Sequence, residues 1–208
     1  MQLPRKKAYH HGDLKTAILI AAEAELVAHG LESFSLRRVA KAIGVTPAAP
    51  SHHFGNTNGL LTELAALGFR RLLAEQKDRQ DRVAHDALGQ LVASGIGYID
   101  FAVNNPNLFQ LMFNWRNLNE DHETLVAHRQ AAYDHLVSNV EATQPDAHQS
   151  ARRALVDAMA AWVTVHGIAS LLSSGKTNRL AELQKRSGTD RDSLFGELIV
   201  KAVGASHF

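Results

Sequence analysis

Apolar residues recur at the spacing of an α-helix along nearly the whole chain, and this pattern limits the fold more than any other feature of the sequence. In the first such segment, Leu14, Ile18, Ala22 and Leu26 lie four residues apart and therefore share one helix face. We find no sustained alternation of apolar and polar residues and no Asn-Gly turn between strand-like segments. The sequence therefore predicts an all-α fold.

Residues that favour helix ends divide the chain into about nine helices. Gly30 is placed to end the first helix, Ser35 to cap the second, and Thr46 with Pro47 to begin a short third one. Near the C-terminus, the segment from Thr189 to Asp192 resembles a capping box, with Asp in place of the usual Glu. The predicted helices cover residues 13–29, 36–43, 47–53, 60–79, 85–104, 106–113, 123–140, 149–172 and 189–203.

Residues 35–53 have the anatomy of a helix-turn-helix, in which two short helices meet at a steep angle. Ala40 lies in the middle of the first helix, Gly44 lies in the turn, and the apolar Val45 follows. A small residue at the crossing and a glycine in the turn leave the second helix free to lie in a major groove of DNA. Helix-turn-helix geometry also occurs in bundles that do not bind DNA, so the spacing alone makes DNA binding one of two interpretations. We expect a three-helix head over residues 1–57, with DNA as its candidate partner, and a larger helical bundle over residues 58–208.

The charge distribution favours nucleic acid as the partner of this head. The whole chain carries 22 Lys and Arg against 21 Asp and Glu, a net charge of +1. Residues 1–53 hold seven basic residues against four acidic ones, a net +3, which leaves −2 for the remainder. The basic residues include Arg5-Lys6-Lys7 at the start and Arg37, Arg38 and Lys41 in the second helix. A basic end on a nearly neutral molecule is typical of phosphate binding, although the same residues would also suit a solvated helix face.

Two absences exclude other classes of protein. The chain has no cysteine, which excludes disulfide scaffolds, thiolate zinc sites and cysteine nucleophiles and fits a reducing compartment. No uninterrupted apolar run reaches the ~18–20 residues that a membrane span needs, and the basic start is not followed by the apolar segment of a signal peptide. We therefore expect a cytoplasmic protein that does not bind a membrane.

A more specific signal comes from several spaced motifs along residues 9–64. In chain order they are Tyr9-His10-His11-Gly12-Asp13-Leu14, Ala21-Ala22, His29-Gly30-Leu31, Ser35-Leu36-Arg37, Val39-Ala40, Gly44-Val45, Pro47-Ala48-Ala49-Pro50 and His53-Phe54. Together these motifs resemble the N-terminal domain of the TetR family of transcriptional regulators. Further along, Trp162-Val163-Thr164-Val165-His166-Gly167 looks like the motif of the WHG class of TetR-type C-terminal domains.

The resemblance implies a homodimer that binds a double-stranded DNA operator and is released when a small molecule occupies the C-terminal bundle. Carried over by position, the DNA-binding residues are Arg37 on the supporting helix and Thr46, Pro47, Ala48, Ser51, His52 and His53 on the recognition helix. The charge pattern adds Lys41. Three positions depart from the family pattern. Ser51 replaces a common Tyr and Thr57 a common Lys, which implies weaker phosphate anchoring, and Arg38 replaces a common Glu.

The middle of the chain is rich in aromatic residues that suit a pocket for a small apolar or amphipathic effector. The cluster spans residues 98–115, ends at Trp115, and can be joined by side chains of the later WHG-like motif. The candidate ligand-binding residues are Phe101, Phe109, Met112, Phe113, Trp162 and His166. Aromatic residues at helical spacing also suit a plain hydrophobic core, and His166 would then be a buried histidine with a hydrogen-bond partner.

The last two long helices are apolar on broad faces, which favours a dimer interface. The helix over residues 149–172 carries two apolar stripes, and a helix that is apolar on two sides has two surfaces to bury. One stripe would pack in the bundle and the other against a second copy of the chain. The candidate interface residues are Leu155, Met159, Leu194, Phe195, Leu198 and Ile199. A monomer with a well-covered core is the alternative.

The twelve histidines do not form a pattern typical of a metal site. His128 and His135 are seven residues apart on one helix face, about 10 Å along the axis, which is too far to share one ion. No motif places a carboxylate pair or a Ser/His/Asp set. We therefore expect no metal, no cofactor and no enzymatic activity, and a ligand-responsive repressor as the function. The alternatives are a DNA-binding architectural or cell-cycle factor without an effector, and a small-molecule-converting enzyme with a vestigial helix-turn-helix.

Overall fold

The computed structural model describes residues 11–113, 116, 118–143, 151–174 and 188–204. Within these ranges it contains nine helices and no strand, so the predicted all-α fold is confirmed. In chain order the helices are α1 His11–His29, α2 Leu36–Ala42, α3 Ala48–Phe54, α4 Thr57–Gln80, α5 Ala87–Asn104, α6 Pro106–Met112, α7 Glu123–Ala142, α8 Ala151–Ser173 and α9 Gly188–Ala202.

Short-range capping contacts set several of the helix ends. The Ser35 hydroxyl accepts a long hydrogen bond from the Arg38 N–H at 3.5 Å, which confirms the predicted cap of α2. Helix α4 begins at Thr57, three residues earlier than predicted, because the Asn56 side chain caps it by accepting from the Gly59 N–H at 3.0 Å. The Asp86 carboxylate caps α5 in the same way, so that helix begins at Ala87.

Two predicted caps are wrong. Helix α3 begins at Ala48 without a side-chain cap at Pro47, because Pro47 already has helical dihedral angles and the Ala49 N–H bonds to the Thr46 carbonyl at 3.0 Å. Helix α9 begins at Gly188, which places Thr189 inside its first turn. The Asp192 carboxylate meanwhile accepts from Arg79 and Arg191. Asp192, which the capping box would use at the start of α9, thus forms ion pairs instead.

Helices α1 to α3 pack together at the start of α4, and the remaining length of α4 packs against α5 and α7. Helix α8 lies against α5 and α7, and α9 covers α5 and α8. One continuous hydrophobic core joins the two parts. It extends from Ile18 and Leu26 of α1 through Leu64 of α4 to Val165 of α8 and Ile199 of α9. Because α4 belongs to both parts, any tilt of α4 moves the head relative to the bundle.

Ion pairs hold both ends of α4. Near its start, Lys15 of α1 pairs with Glu63 at 2.8 Å, and Arg71 pairs with Glu23 of α1. At its far end, four side chains form a closed ring that joins α4 to α5 and α9. Its members are Arg79, Asp100, Arg191 and Asp192. The ring carries two positive and two negative charges, so it is neutral as a unit.

Candidate nucleic-acid interface and bundle cavity

The turn between α2 and α3 has the geometry that the sequence predicts. Gly44 has a φ of 69°, a left-handed conformation that glycine adopts without strain, and the Val45 N–H bonds back to the Ala40 carbonyl at 3.0 Å. Ala40 of α2 is fully buried, as expected for the small residue of a helix-turn-helix. This tight turn leaves the outer face of α3 open to solvent.

The structure places the predicted DNA-binding residues of α3 on or near this open face. Thr46, Pro47, Ala48 and His52 are exposed, whereas Ser51 and His53 are half-buried. A helix in a major groove reads base edges with the side chains on its exposed face. The four exposed residues are therefore better placed for base contact than the other two.

Two cations of α2 lie beside this face. Arg37 and Lys41 are exposed and four residues apart, so they share one side of the helix. Both line a shallow surface groove together with Gly44 and Pro47 of the turn. No ion pair to either cation is found among the described residues. The predicted Arg5-Lys6-Lys7 arm lies outside the residues that the structure describes.

Arg38 also lines this groove, but the buried Glu25 of α1 pairs with it and offsets its charge. The guanidinium contacts Glu25 Oε1 through Nη2 at 2.6 Å and through Nε at 2.7 Å. The hydrogen bond from Arg38 lowers the pKa of the Glu25 carboxyl, and the same contact raises the pKa of Arg38. Glu25 also accepts from the Ser35 N–H at 3.1 Å. It thereby supplies the acceptor that a Glu at position 38 would give in a capping box.

A cavity of about 300 Å³ lies in the bundle between α4, α5, α7 and α8. Most of its wall is apolar, and three polar side chains, Gln76, Ser94 and Tyr98, lie on the α4 and α5 side. Its lining residues are Phe69, Leu72, Gln76, Leu91, Ser94, Gly95, Tyr98, Phe113, Arg129, Gln130, Ala132, Tyr133, Leu136, Ala161, Trp162, Val165 and Ile199. The cavity is partly open to solvent, since Tyr133 of its wall is exposed. A mostly apolar concave space with a few convergent polar groups is typical of small-molecule sites.

The structure separates the six predicted ligand-binding residues into two groups. Phe113 and Trp162 line the cavity. Phe101, Phe109 and Met112 are not among the residues that line the cavity, and they pack in the core at 1–4% exposed. These three side chains face neighbouring helices, as expected if the aromatic residues form a hydrophobic core and not a ligand site. Trp115, the end of the predicted aromatic cluster, lies outside the described residues.

His166 stands behind the cavity wall as a histidine with a partner. Its Nδ1 lies 2.8 Å from the Tyr98 hydroxyl, and its ring contacts the rings of Phe109, Phe113 and Trp162. Burial lowers the pKa of His166, which favours the neutral imidazole. In one neutral tautomer Nδ1 accepts from the Tyr98 O–H, and in the other it donates to the Tyr98 oxygen. Burial also raises the pKa of Tyr98. The pair therefore fixes the orientation of Tyr98, which does line the cavity.

Sequence reasoning missed the polar residues of the cavity. Gln76 and Ser94 are 6% and 4% exposed, and Gln76 Nε2 donates to the Ser94 hydroxyl at 2.9 Å. Arg129 lines the opposite side and pairs with Glu120 at 2.7 Å. These residues come from three helices and form no local motif. The available signal is that Gln76 and Gln80 follow Phe69 and Leu72 on one helix face of α4, where apolar residues would be expected.

The predicted dimer residues also divide into two groups. Leu155, Met159 and Leu198 are 39–52% exposed, and Leu194 is half-buried. Phe195 and Ile199 are contrary to expectation, because they are 1% and 0% exposed and pack inside their own protomer. Val156 and Val163 of α8, which were not predicted, are 56% and 61% exposed. The exposed apolar stripe is therefore Leu155, Val156, Met159, Val163 and Leu198.

Helix α8 has a further property that follows from this apolar surface. Residues Arg152–Ser173 are long and apolar enough to cross a membrane by length and composition alone. In the structure one side of the same helix, including Ala158, Ala161 and Val165, is buried in the bundle. A core helix of a globular bundle meets the same criterion, so this finding is weak support for a membrane segment.

The described residues contain no group of three His, Asp or Glu side chains that could hold a metal ion. His128 and His135 both lie on α7. Burial, together with the nearby Lys77, lowers the pKa of His135. His135 Nε2 lies 3.3 Å from the side-chain nitrogen of Asn139, one turn further on.

A helix-turn-helix head joined through one long helix to a cavity-bearing bundle defines a class of DNA-binding regulators. The chain belongs to the TetR family of transcriptional regulators. The family model for bacterial regulatory proteins of the tetR family matches residues 18–64, and the model for a tetracyclin repressor-like C-terminal domain matches residues 91–199. The resemblance inferred from the motifs is thereby confirmed.

Solved structures share the fold along nearly the whole chain. A protein of unknown function from Rhodococcus sp. RHA1 is 29% identical, with 96% of each chain covered and a TM-score of 0.71. The TetR family transcriptional regulator PfmR from Thermus thermophilus is 19% identical, with 88% of this chain and 97% of that chain covered and a TM-score of 0.62. BioQ from Mycobacterium smegmatis is 21% identical, with 93% and 98% covered and a TM-score of 0.62. A comparison with curated proteins finds no significant match.

Proposed function

We propose that this chain is a homodimeric repressor that leaves its operator when a small molecule enters the bundle cavity. The observation that carries the proposal is the position of α4, which supports the DNA-binding head at one end and lines the cavity in its middle. We place the division between the two functional parts at the start of α4, with residues 1–57 as the head and 58–208 as the effector and dimer domain. The protein would act in the cytoplasm and without catalysis.

DNA binding would use α3 for sequence and α2 for affinity. Thr46, Pro47, Ala48 and His52 would face base edges, with Ser51 and His53 at the margin of the contact. Arg37 and Lys41 would neutralise backbone phosphates, since both are exposed beside α3. Phosphate contacts fix position on the duplex, and base contacts specify the sequence.

The salt dependence of binding tests this assignment. The duplex is first selected from a random library with the wild-type protein, and its dissociation constant is then measured over a range of salt concentrations. Lys41→Ala should weaken binding to every sequence and lower the magnitude of the log–log slope by about 0.9. Lys77→Ala, which removes an exposed lysine far along α4, is the matched control and should leave both quantities unchanged. Unchanged slopes for Lys41→Ala and Arg37→Ala would refute this DNA-binding face.

The second copy of the chain would cover the exposed stripe of α8 and α9. Six large apolar side chains, the five of the stripe and Leu171 of α8, lie 39–61% exposed along these two helices, which is unfavourable for a monomer in water. A two-fold axis through the stripe would pair the two heads, with half-sites about one helical turn or a multiple apart.

A charge in the stripe tests the dimer. Val163→Glu would place like charges on both sides of the two-fold axis and should give monomers in light scattering at micromolar concentration. Val126→Glu replaces a valine of similar type, 41% exposed on α7 and away from the stripe, and should leave the dimer intact. A monomeric wild type, or a dimer that tolerates Val163→Glu, would contradict the proposal.

Release would follow from a ligand-dependent tilt of α4. Phe69, Leu72 and Gln76 of α4 line the cavity, while the ion-pair ring holds the end of α4 at Arg79. A ligand pressed against the middle of α4 would therefore move the head. To change the ratio of the DNA-binding conformation to the DNA-free conformation from 99:1 to 1:99, the ligand must favour the DNA-free conformation by about 5.5 kcal/mol. The cavity supports this proposal over an architectural factor without effector, for which a closed core would be expected.

A further inference from the structure

We propose that the cavity selects an uncharged amphipathic ligand, such as a phenol or an alcohol, whose polar group bonds to Gln76 and Ser94. This inference rests on the proposed effector role of the cavity, but it concerns the chemistry of the ligand. It excludes carboxylates and amines as the preferred class. Three features of the cavity carry it: its charge, its polar pair and its size.

The cavity wall offers no unpaired charge to a charged ligand. Arg129 is the single formally charged side chain among the described residues that line the cavity. Glu120 already pairs with it at 2.7 Å. A carboxylate would have to displace Glu120, and an ammonium would meet no described carboxylate on the wall. A charge that enters an apolar site without a partner loses its hydration, which strongly disfavours binding.

The polar pair of Gln76 and Ser94 suits a hydroxyl group. Gln76 Nε2 donates to the Ser94 hydroxyl at 2.9 Å and to the Ser94 carbonyl at 3.3 Å, so the amide nitrogen is engaged. The hydroxyl oxygen of Ser94 accepts, which leaves its hydrogen to donate, and the Gln76 amide oxygen remains an acceptor. A ligand hydroxyl both accepts and donates, so it can complete both groups at once. A ligand carboxylate can only accept.

The size and shape of the cavity favour a single ring with a short tail. A volume of about 300 Å³ holds about 10–15 non-hydrogen atoms at liquid-like packing. Phe69, Phe113 and Trp162 give the wall flat aromatic surfaces, against which a ring packs well.

The polar pair also lies where a ligand can act on α4. A Cβ at Gly97 of α5 would come within 3.0 Å of the Gln76 Cα, so the two helix backbones almost touch at this crossing. A ligand hydroxyl that bonds to the Ser94 hydrogen and the Gln76 amide oxygen would lie beside this crossing, on its cavity side. Binding there would separate α4 from α5 close to the point where the two helices are held together.

Matched probes test the ligand class with the full-length protein by calorimetry at neutral pH. The probes are para-butylphenol, which is neutral, para-butylbenzoate, which is charged, and butylbenzene, which lacks the polar group. We expect para-butylphenol to bind at least about tenfold more tightly than para-butylbenzoate and about fivefold more tightly than butylbenzene. The double variant Gln76→Met/Ser94→Ala should remove the preference for the phenol over butylbenzene. Ser170→Ala, which lies outside the cavity wall, is the matched control and should preserve it.

Three results would overturn the ligand class. They are a benzoate that binds as tightly as the phenol, a phenol preference that survives the double variant, and an absence of binding by all three probes. Thermal unfolding of the double variant shows whether it folds; removal of both hydrogen-bond partners together is nearly neutral for stability. Operator release is measured separately. Operator release by para-butylbenzoate alone would refute the ligand class and support the effector role. Binding of para-butylphenol without operator release would support the ligand class and refute the effector role.

Discussion

The ring of Arg79, Asp100, Arg191 and Asp192 should stabilise the protein far more than an ordinary surface ion pair does. Asp100 accepts from Arg79 at 2.6 Å and from Arg191 at 2.9 Å. Asp100→Asn keeps the size of the side chain and removes its charge. The two arginines would then share Asp192 alone, so the ring would carry one excess positive charge between α4, α5 and α9.

The structure sets the size of the effect. A hydrogen bond to a charged group contributes about 1.5–3 kcal/mol, and Asn keeps one acceptor, so part of one bond survives. The four side chains are 17–30% exposed, which leaves the ring partly screened by solvent. We therefore expect Asp100→Asn to lower the free energy of unfolding by about 2–3 kcal/mol. For a chain of this length, the melting temperature should fall by about 4–12 °C.

Thermal unfolding followed by circular dichroism, at one fixed protein concentration, measures this difference. Asp78→Asn is the matched control, because Asp78 pairs with Arg82 at the same end of α4 but both side chains are more than 60% exposed. Such a pair contributes at most about 0.5 kcal/mol. Equal melting temperatures for Asp100→Asn and Asp78→Asn would refute the reasoning.

Two further substitutions test contacts of the head and of the helix crossing. Glu25→Gln should destabilise the protein near neutral pH, and the gap to wild type should close as the pH falls. The Arg38 contact lowers the folded pKa of Glu25, so its stabilisation is complete above the ordinary carboxyl pKa and is lost as the pH drops through the folded value; a pH-independent gap in urea unfolding would contradict this. Gly97→Ala should cost about 1–3 kcal/mol, since its Cβ would meet the Gln76 backbone at 3.0 Å. At Gly167 of α8 a Cβ would meet nothing within 4 Å, so an equal loss for Gly167→Ala would contradict the close crossing.

Sequence patterns predicted the helices well because their causes are local. The predicted α2 ends within one residue of the observed end, since Ser35 and Gly44 act through contacts a few residues away. The Thr46 side chain does not cap α3, because Pro47 already has helical dihedral angles and the Thr46 carbonyl accepts from the Ala49 N–H. Competition of this kind between two local hydrogen bonds is decided by geometry that the residue types do not specify.

The candidate sites were harder to predict because their causes are tertiary. Leu198 and Ile199 are neighbours in one apolar stripe, yet one is 40% exposed and the other is fully buried. Periodicity defines the stripe, but the position of α5 and α8 decides which edge of it faces inward. In the same way, Glu25 neutralises Arg38 across 13 residues, and Gln76 meets Ser94 across 18. The predicted dimer and pocket residues were therefore partly core residues.

Filling the cavity without any knowledge of the natural ligand tests the central claim most directly. The chain has no cysteine, so Ala132→Cys places a single thiol at the cavity wall, and benzyl methanethiosulfonate can attach a ring there. Val83→Cys, exposed in the turn between α4 and α5 and not part of the cavity wall, carries the same group as the control. If occupation of the cavity and DNA binding exclude each other, the labelled Ala132→Cys protein should bind the selected duplex about 5–150-fold more weakly than the unlabelled protein, and the control should not change. Full operator affinity in the labelled, folded Ala132→Cys protein would contradict the account.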